Sequence, residues 1–326
     1  MIKVITWNLL SPQISDLKHF INYDPNILNT SLRLKRIMHN LSVLVKQKPI
    51  PIFCFQELPF DWKGIFETFF YRNGYRMISI NYGGEQTGFV GIAIAIPKEY
   101  KIENIDYIPV GDILDLPTPN EIYYRLNYPD NYATKEVMKK SYAIINEETT
   151  RINEIILRAD EIQNTAIRVV LKGDFQFILY NYHFPHNDLV RLIHLNALKR
   201  LMKTHENVPT IFAGDFNFSP DDILYSYITD NKLTKEYYAY LKEDYKLDLR
   251  SAYKDYNGKE ADHTIYINSK ISDGIMKDTL DYIFISPQLK AVSSKTLLNT
   301  NNLTPNEICP SDHLPLEAVI TLMNRE

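Results

Sequence analysis

Six points along the 326-residue chain set an acid, an amide or a histidine directly against an apolar, strand-like run. The run KVITW leads into Asn8, and IPIFCF leads into Gln56 and Glu57. FQFILY is followed by Asn181 and His183, and TIFA by Gly214, Asp215, Phe216 and Asn217. TLDYIFIS has Asp281 at its beginning, and Ser311, Asp312 and His313 stand immediately before the last apolar run. Each has an ordinary explanation alone. Asn8 suits a turn, Glu57 a cap, His183 a hydrogen-bonded structural role, and Asp312 a solvated one. Asp215 with Asn217 suits an Asx turn ahead of a helix. As a set they are costly, because an uncompensated buried polar group loses on the order of several kcal/mol. They are tolerated together if they compensate one another around a cation and an anionic ligand.

The chemistry of such a set follows from its donor types. Carboxylates and carboxamides with few soft competitors are hard oxygen ligands, suited to Mg²⁺ or Mn²⁺. Magnesium keeps several waters, so Glu57 with one further acid suffices to hold it. Zinc is disfavoured, because the cysteines are not spaced as ligands and no His-x-x-x-His pair occurs. A phosphoryl centre needs its equatorial oxygens neutralised, which metal, imidazole and amide donors can do. A carboxylate near the line of attack can take a proton from water, and an Asp–His pair can orient an imidazole and keep it protonated. The combination reads as metal-assisted phosphoester hydrolysis.

Positioning these groups requires many strands. Short β-branched and aromatic runs cover Ile2–Trp7, Ile50–Phe55, Arg76–Asn81, Gly88–Ile96, Ala166–Leu171, Phe175–Tyr182, Pro209–Ala213, Leu280–Ser286, Lys290–Leu298 and Leu316–Leu322. Lys172-Gly173-Asp174 predicts a hairpin in which Gly-Asp supplies a positive φ. Helical periodicity follows Ser31 and Asp188, both read as N-caps, and a third helix is predicted from Ser219. Strands in this number with a few helices between them predict two sheets packed face to face with helices outside. No repeat or Gly/Ser/Pro-rich linker divides the chain, so one domain spanning 1–326 is expected, with residues 101–164 as a possible insertion.

The bulk numbers narrow the partners. Lys and Arg number 36 against 40 Asp and Glu, a net charge of −4, so a nucleic acid must be handled at a local site and not by a broadly basic surface. Two cysteines, Cys54 and Cys309, give no disulfide framework and fit a reducing compartment. The N-terminal MIKVITW enters a strand pattern at once, which predicts a non-secreted protein, cytoplasmic or nuclear. No apolar run reaches the roughly 20 residues of a membrane span.

TWNLL, FCFQEL, NYHF, GDFNFSP, TLDYIF and SDHLPL, in this order over nearly the whole chain, resemble the endonuclease/exonuclease/phosphatase superfamily. Within it, GDFNFSPDDILYSYI, CPSDHLPLEAVI and FPHNDLVRLIHLNAL are most similar to the carbon-catabolite-repression-type deadenylases, the subgroup of nocturnin, Angel proteins and 2′-phosphodiesterase. The resemblance implies a four-layer α-β-β-α sandwich of two packed, mostly antiparallel (mixed) sheets with helices outside, and a Mg²⁺-dependent phosphoesterase. Carried over by motif, it implies that Glu57 is the principal metal ligand, that Asn8 helps to hold the site, and that Asp312 serves a second metal or its water shell. Asp215 would position or deprotonate water; Asn217 would bind the scissile phosphate, and His183 a non-bridging oxygen. His313, oriented by Asp281, would stabilise pentavalent charge or act as base. Asn181, His183 and Asn217 form the expected substrate side. The chain departs from the subgroup where Tyr182 and Phe184 flank His183, where Phe218 replaces a common serine, and where Leu58-Pro59 follow Glu57 in place of the usual Val. The leading expectation is a 3′–5′ exoribonuclease acting on single-stranded RNA, poly(A) favoured, as a monomer. Alternatives are a hydrolase of small phosphoesters (2′–5′ oligoadenylate, a dinucleotide, an inositol phosphate or a lipid head group), a DNA repair phosphodiesterase, and an inactive scaffold.

Overall fold

The structure is a computed structural model that describes residues 1–82, 89–127, 147–270 and 272–323. Its elements run β1 (Ile2–Asn8), α1 (Pro25–Leu28), α2 (Thr30–Leu44), β2 (Pro51–Pro59), α3 (Phe60–Arg72), β3 (Tyr75–Asn81), β4 (Val90–Pro97) and β5 (Lys101–Pro109). Then come α4 (Pro119–Asn127), α5 (Glu147–Glu161), β6 (Thr165–Lys172), β7 (Gln176–His183), α6 (Asp188–Lys203), β8 (Thr210–Asp215), α7 (Ile223–Asp230) and α8 (Lys235–Tyr238). The chain closes with β9 (Arg250–Ser251), α9 (Ala252–Asn257), β10 (Ile265–Ser269), β11 (Gly274–Asp278), β12 (Asp281–Ile285), β13 (Leu289–Thr296) and β14 (Leu316–Leu322).

Two six-stranded sheets result, ordered β13-β14-β1-β2-β4-β3 and β5-β6-β7-β8-β12-β9, with β10-β11 as a separate ribbon. Each sheet is mixed and contains one parallel pair: β1 with β2, and β7 with β8. The inner faces meet in a core that includes Val4, Ile52, Ile94, Leu179, Ile211 and Ile283. One outer face is covered by α2 and α3 through Ile37, Leu41, Trp62, Phe66 and Phe70. The other is covered by the helical segments that bring Leu192, Leu195, Leu198 and Leu224 onto Tyr180, Phe212 and Phe284. This is the α-β-β-α sandwich expected from the sequence. Strands buried on both faces read as continuous apolar runs and not as alternating ones, which is why β1, β4 and β8 stood out.

Several local expectations shift. Helix α2 is capped by Asn29, whose side chain accepts from Leu32 N–H, and α6 by Asn187 in place of Asp188. Helix α7 begins at Ile223 and not at Ser219, because the Asp222 carboxylate captures the Leu224 N–H. Helix α3 was hidden by composition: Trp62, Phe66 and Phe70 recur at helical spacing, but their residue types favour strands. The β6–β7 hairpin forms, yet Gly173 is not among the residues with positive φ. Glycine is needed there for space, since a Cβ would sit 2.9 Å from the Tyr100 ring. Segment 101–164 is not all an excursion: β5 pairs with β6 from Lys101↔Lys172 to Pro109↔Thr165, and α5 contacts α6. Its middle, 128–146, lies outside the described residues.

One buried group ties the helical layer to the strand that ends in His183. His194 on α6 faces Tyr182, with its Nδ1 2.7 Å from the hydroxyl and its Nε2 2.8 Å from the Ala159 carbonyl. A carbonyl can only accept, so Nε2 carries the proton and Nδ1 accepts from Tyr182. Burial holds His194 down to about 4, from an ordinary value of 6.5. The neutral ring is therefore favoured in the fold, and its contribution is complete above pH 6.5 and lost as pH falls toward 4. We expect unfolding free energy to drop by roughly 3 kcal/mol over that window, and His194→Gln to flatten the drop. Urea titrations at stepped pH test this; an equally steep acid loss in the variant would assign it to other groups.

Candidate active site

Each sheet's parallel pair ends at the same edge of the sandwich, and the polar residues sit at those ends. Asn8 pairs in register with Gln56, His183 with Asp215, and Asp215 with Asp281 on the antiparallel neighbour β12. The ribbon reaches the same edge, where Ile265 bridges to His313. Three backbone devices aim the side chains. A register shift between Phe55 and Leu58 puts Glu57 at φ 53°, turning its carboxylate out of the strand plane. Asn217 takes φ 54°, which an Asx residue tolerates well, and its N–H returns to Asp215 Oδ1 at 2.9 Å. Gly214 lets β8 close on β7, because a Cβ there would lie 1.9 Å from the Tyr182 carbonyl oxygen.

The side chains converge across the two sheets. The Asn8 amide donates to Glu57 Oε1 at 3.0 Å and to Asp215 Oδ2 at 2.9 Å, while its oxygen accepts from Leu10 N–H at 3.0 Å. Two carboxylates on one side fix the amide orientation, because only the nitrogen can donate to them. Ser11 N–H donates to Glu57 Oε2 at 2.6 Å. The Nε2 atoms of His183 and His313 stand 3.6 and 3.8 Å from Asp215 Oδ2. His313 Nδ1 meets Asp281 Oδ2 at 2.7 Å, and His183 Nδ1 meets the Tyr82 hydroxyl at 2.9 Å. The Asn217 carboxamide donates to the Phe184 carbonyl at 2.7 Å. Ser311 donates to the Asn8 carbonyl at 2.6 Å, tying the end of β1 to the segment carrying Asp312 and His313.

Electrostatics separates the acids. Burial pushes Asp215 up, but the imidazoles of His313 and His183 and the donors from Asn8 and Asn217 outweigh it, leaving the carboxyl below its ordinary range. Burial and the neighbouring Glu57 charge push Asp312 up to about 6, against His313 and Arg33. Burial likewise raises Asp281 in spite of His313. His313 is held well above an ordinary histidine: burial opposes its charge, but Asp281, Asp215 and Asp312 prevail. Burial and then the Glu57 charge raise Tyr82, so its hydroxyl keeps its proton. The same hydroxyl holds the His183 ring at Nδ1 and so aims its Nε2 at the site.

A cation fits this arrangement. Glu57, Asp215, Asp281 and Asp312 bring four carboxyls to one edge, and Asp281 Oδ1 is buried without a hydrogen-bond partner. Asp215, Asp281 and His313 each offer a ligand atom within 4.8 Å of the others, so this buried group could hold a metal. The donors are mainly oxygen, the chemistry of a hard divalent ion. Beside the edge opens a cavity of about 600 Å³ lined in part by Leu126, His186, Asn187, Tyr237 and Tyr240. His186, lowered by burial and the nearby His183, connects it to the carboxylate cluster.

The Endonuclease/Exonuclease/phosphatase family model matches residues 5–313. Over 115 residues the chain is 34% identical to carbon catabolite repressor protein 4 homolog 4 of Arabidopsis thaliana, covering 33% of this chain and 26% of that protein. The match thus spans about a quarter of that relative's length. Among solved structures, ANGEL2, described as a 2′,3′-cyclic phosphatase in complex with adenosine-2′,3′-vanadate, superposes with a TM-score of 0.68 at 17% identity, covering 97% of this chain and 94% of that one. The human nocturnin catalytic domain with bound sulfate gives 0.62 at 19% identity, covering 99% and 94%. A mannosyl-6-phosphatase of Bacteroides thetaiotaomicron gives 0.58 at 16%, covering 98% and 100%. At such identities these structures speak for the fold.

Of the residues expected at the site, Asn8, Glu57, His183, Asp215, Asn217, Asp281, Asp312 and His313 gather at this edge. Asn181 does not. Its Oδ1 accepts from Gln56 Nε2 at 2.7 Å, and its Nδ2 donates to the Phe55 and Ala93 carbonyls at 3.0 and 2.9 Å. With 0% exposure it clamps the two sheets one layer beneath the site and presents nothing to a substrate. Tyr82 and Arg33 were missed. Tyr82 carries no sequence signal beyond closing an apolar run, whereas Arg33 has one: it stands on the apolar stripe of α2 with Ile37, Leu41 and Leu44. Asn181→Ala removes one acceptor from the Gln56 amide and the side-chain donor from the Phe55 and Ala93 carbonyls, and we expect a loss of about 2–4 kcal/mol in urea unfolding. A stable Asn181→Ala protein defective only in substrate affinity would restore Asn181 to the substrate side.

Proposed function

The chain belongs to the endonuclease/exonuclease/phosphatase family and is a phosphoester hydrolase, and from that premise we propose a Mg²⁺-dependent 3′–5′ exoribonuclease of the deadenylase-like kind, poly(A) favoured. The observation that carries the reading is the Asp215 carboxylate, held ionised at the meeting point of the two sheets with two imidazole Nε2 atoms within 4 Å. Mg²⁺, with Mn²⁺ as a substitute, would be held by Glu57 and a further acid, Asp312 or Asp281, with Asn8 fixing Glu57. When bound it supplies Lewis-acid neutralisation of phosphoryl oxygens.

The residues of the chain divide the remaining work. Asp215 orients the attacking water and accepts its proton, with Asn8 and the Asn217 N–H fixing the carboxylate. Asp281, Asp215 and Asp312 favour the charged form of His313, which then places positive charge toward the developing negative phosphoryl oxygens, with Asp281 orienting the ring. His183, held at Nδ1 by the Tyr82 hydroxyl, donates Nε2–H to a non-bridging oxygen. Asn217 keeps one N–H on Phe184 and turns the other to the phosphate.

An RNA substrate is supported by the cavity beside His186, where the half-buried Tyr237 offers a surface on which an unpaired base can stack. The mild net charge of −4 is compatible with a locally read strand. Both cysteines are free and buried, and among the described residues no helix is long and apolar enough to cross a membrane. We read the enzyme as cytoplasmic or nuclear, where buried free thiols stay reduced, and as a monomer.

Glu57→Gln and Asp215→Asn should each lower kcat by about 10²-fold or more, the scale of losing one electrostatic or acid–base contributor. Near-normal Mg²⁺-dependent turnover in both would remove the assigned roles. The substrate is read from a panel with EDTA controls: poly(A), mixed-sequence RNA, RNA ending in a 2′,3′-cyclic phosphate, 2′–5′ oligoadenylate, single-stranded DNA and inositol phosphates. We expect release of 5′-nucleotides from RNA 3′ ends, fastest on poly(A). Preferential turnover of an inositol phosphate or another small ester would overturn the substrate assignment and leave the phosphoester chemistry intact.

A further inference from the structure

Arg33 is a cation where α2 should bury an apolar side chain. It shares the buried stripe with Ile37, Leu41 and Leu44 and is 0% exposed. A guanidinium taken out of water must find donors' partners inside the protein or it destabilises the fold. Arg33 finds three backbone carbonyls on two segments: Nε donates to Pro310 O at 2.7 Å, and Nη2 donates to Leu9 O at 2.6 Å and Leu10 O at 2.8 Å.

One of those segments holds an acid of the site in place and the other carries one. The first leaves β1 just after Asn8 and delivers the Ser11 N–H to Glu57. The second holds Asp312 and His313. Between them, Leu10 has φ 57°, a left-handed conformation unfavourable for a leucine, with its N–H on Asn8 Oδ1 and its carbonyl on Arg33. A strained residue persists only where its surroundings over-determine it, and such residues gather at functional sites.

We propose that Arg33 is a positioning residue for the metal site. Its planar fork fixes the Leu9–Ser11 turn against the Pro310–His313 segment, and so sets how Glu57 and Asp312 face each other. Lysine cannot do this, because a single ammonium nitrogen lacks the rigid spread of donors that spans both segments. The proposal rests on Glu57 and Asp312 belonging to the cation site.

The test uses the full chain, stripped of metal, with Mg²⁺ itself as the probe. Binding is read by titration calorimetry and by the Mg²⁺-induced rise in unfolding temperature, in parallel with Mg²⁺ activation and KM. In Arg33→Lys and Arg33→Gln we expect native-like circular dichroism, Mg²⁺ affinity weakened about 10-fold or more, the scale for residues that orient metal ligands, and KM within about twofold. Adding Leu10→Gly to Arg33→Lys should recover part of the affinity, since glycine adopts that φ without strain. A folded variant that binds and responds to Mg²⁺ as wild type does would overturn the proposal. So would loss of fold in both variants, which would make Arg33 a purely structural tie. If Glu57→Gln binds Mg²⁺ as tightly as wild type, the metal assignment itself fails, and this proposal fails with it.

Discussion

A single amide holds the two sheets in the relation on which the rest depends. Asn8, at the end of β1, donates from one nitrogen to Glu57 in its own sheet and to Asp215 in the other. Without a donor between them, two carboxylates at the seam would repel in a setting of lowered dielectric, where charge interactions are strong. With it, the seam between the sheets becomes a place where acids are held close. Asn8 is wholly buried, so its position follows from the sandwich and not from solvent. Beneath it, Gln56 and Asn181 repeat the same inter-sheet device with neutral partners. The upper amide joins charges and the lower one only polar groups. That difference separates the site from its foundation.

The gathered acids do not suit one another in the absence of a cation. Burial raises Asp281 and Asp312, and the Glu57 charge adds to the rise at Asp312. The imidazole of His313 and the guanidinium of Arg33 offset this only in part. A fold carrying such a cluster gives up some stability for a site that a hard cation completes, a common balance at functional positions. The histidines are set apart by their anchors: His313 by the Asp281 carboxyl and His183 by the Tyr82 phenol. Each anchor fixes its ring at Nδ1 and leaves Nε2 facing Asp215.

The aromatic residues around the motifs belong to the core beneath this edge. Phe184, Phe216 and Phe218 are buried and pack on one another, with Phe184 and Phe216 stacked at 5.0 Å between ring centroids. Tyr182 points to His194, and the Tyr282 hydroxyl donates to the Phe218 carbonyl at 3.1 Å. The positions where the sequence departs from the deadenylase-like pattern, Tyr182, Phe184 and Phe218, are thus packing positions. They support His183 and the Asp215–Asn217 turn from below, while the cavity that could receive a base is lined by other residues, including His186, Tyr237 and Tyr240.

The sequence alone determined which residues could do chemistry and that they stand at strand ends, because a polar group after an apolar run is a local signal. It also determined the layer architecture, since doubly buried strands read as apolar runs and outer helices show their stripe. Only the tertiary structure decided what each polar group faces. Asn8 and Asn181 look alike along the chain, yet Asn8 meets two carboxylates and Asn181 meets an amide and two carbonyls. The bulge that turns Glu57 outward, the Asp222 cap that delays α7 and the guanidinium fork of Arg33 were likewise settled by contacts distant in sequence or by backbone geometry. A residue's type and local period fix the face it occupies. The partner on that face comes from another strand or helix, often more than 100 residues away, and is set when the two sheets pack.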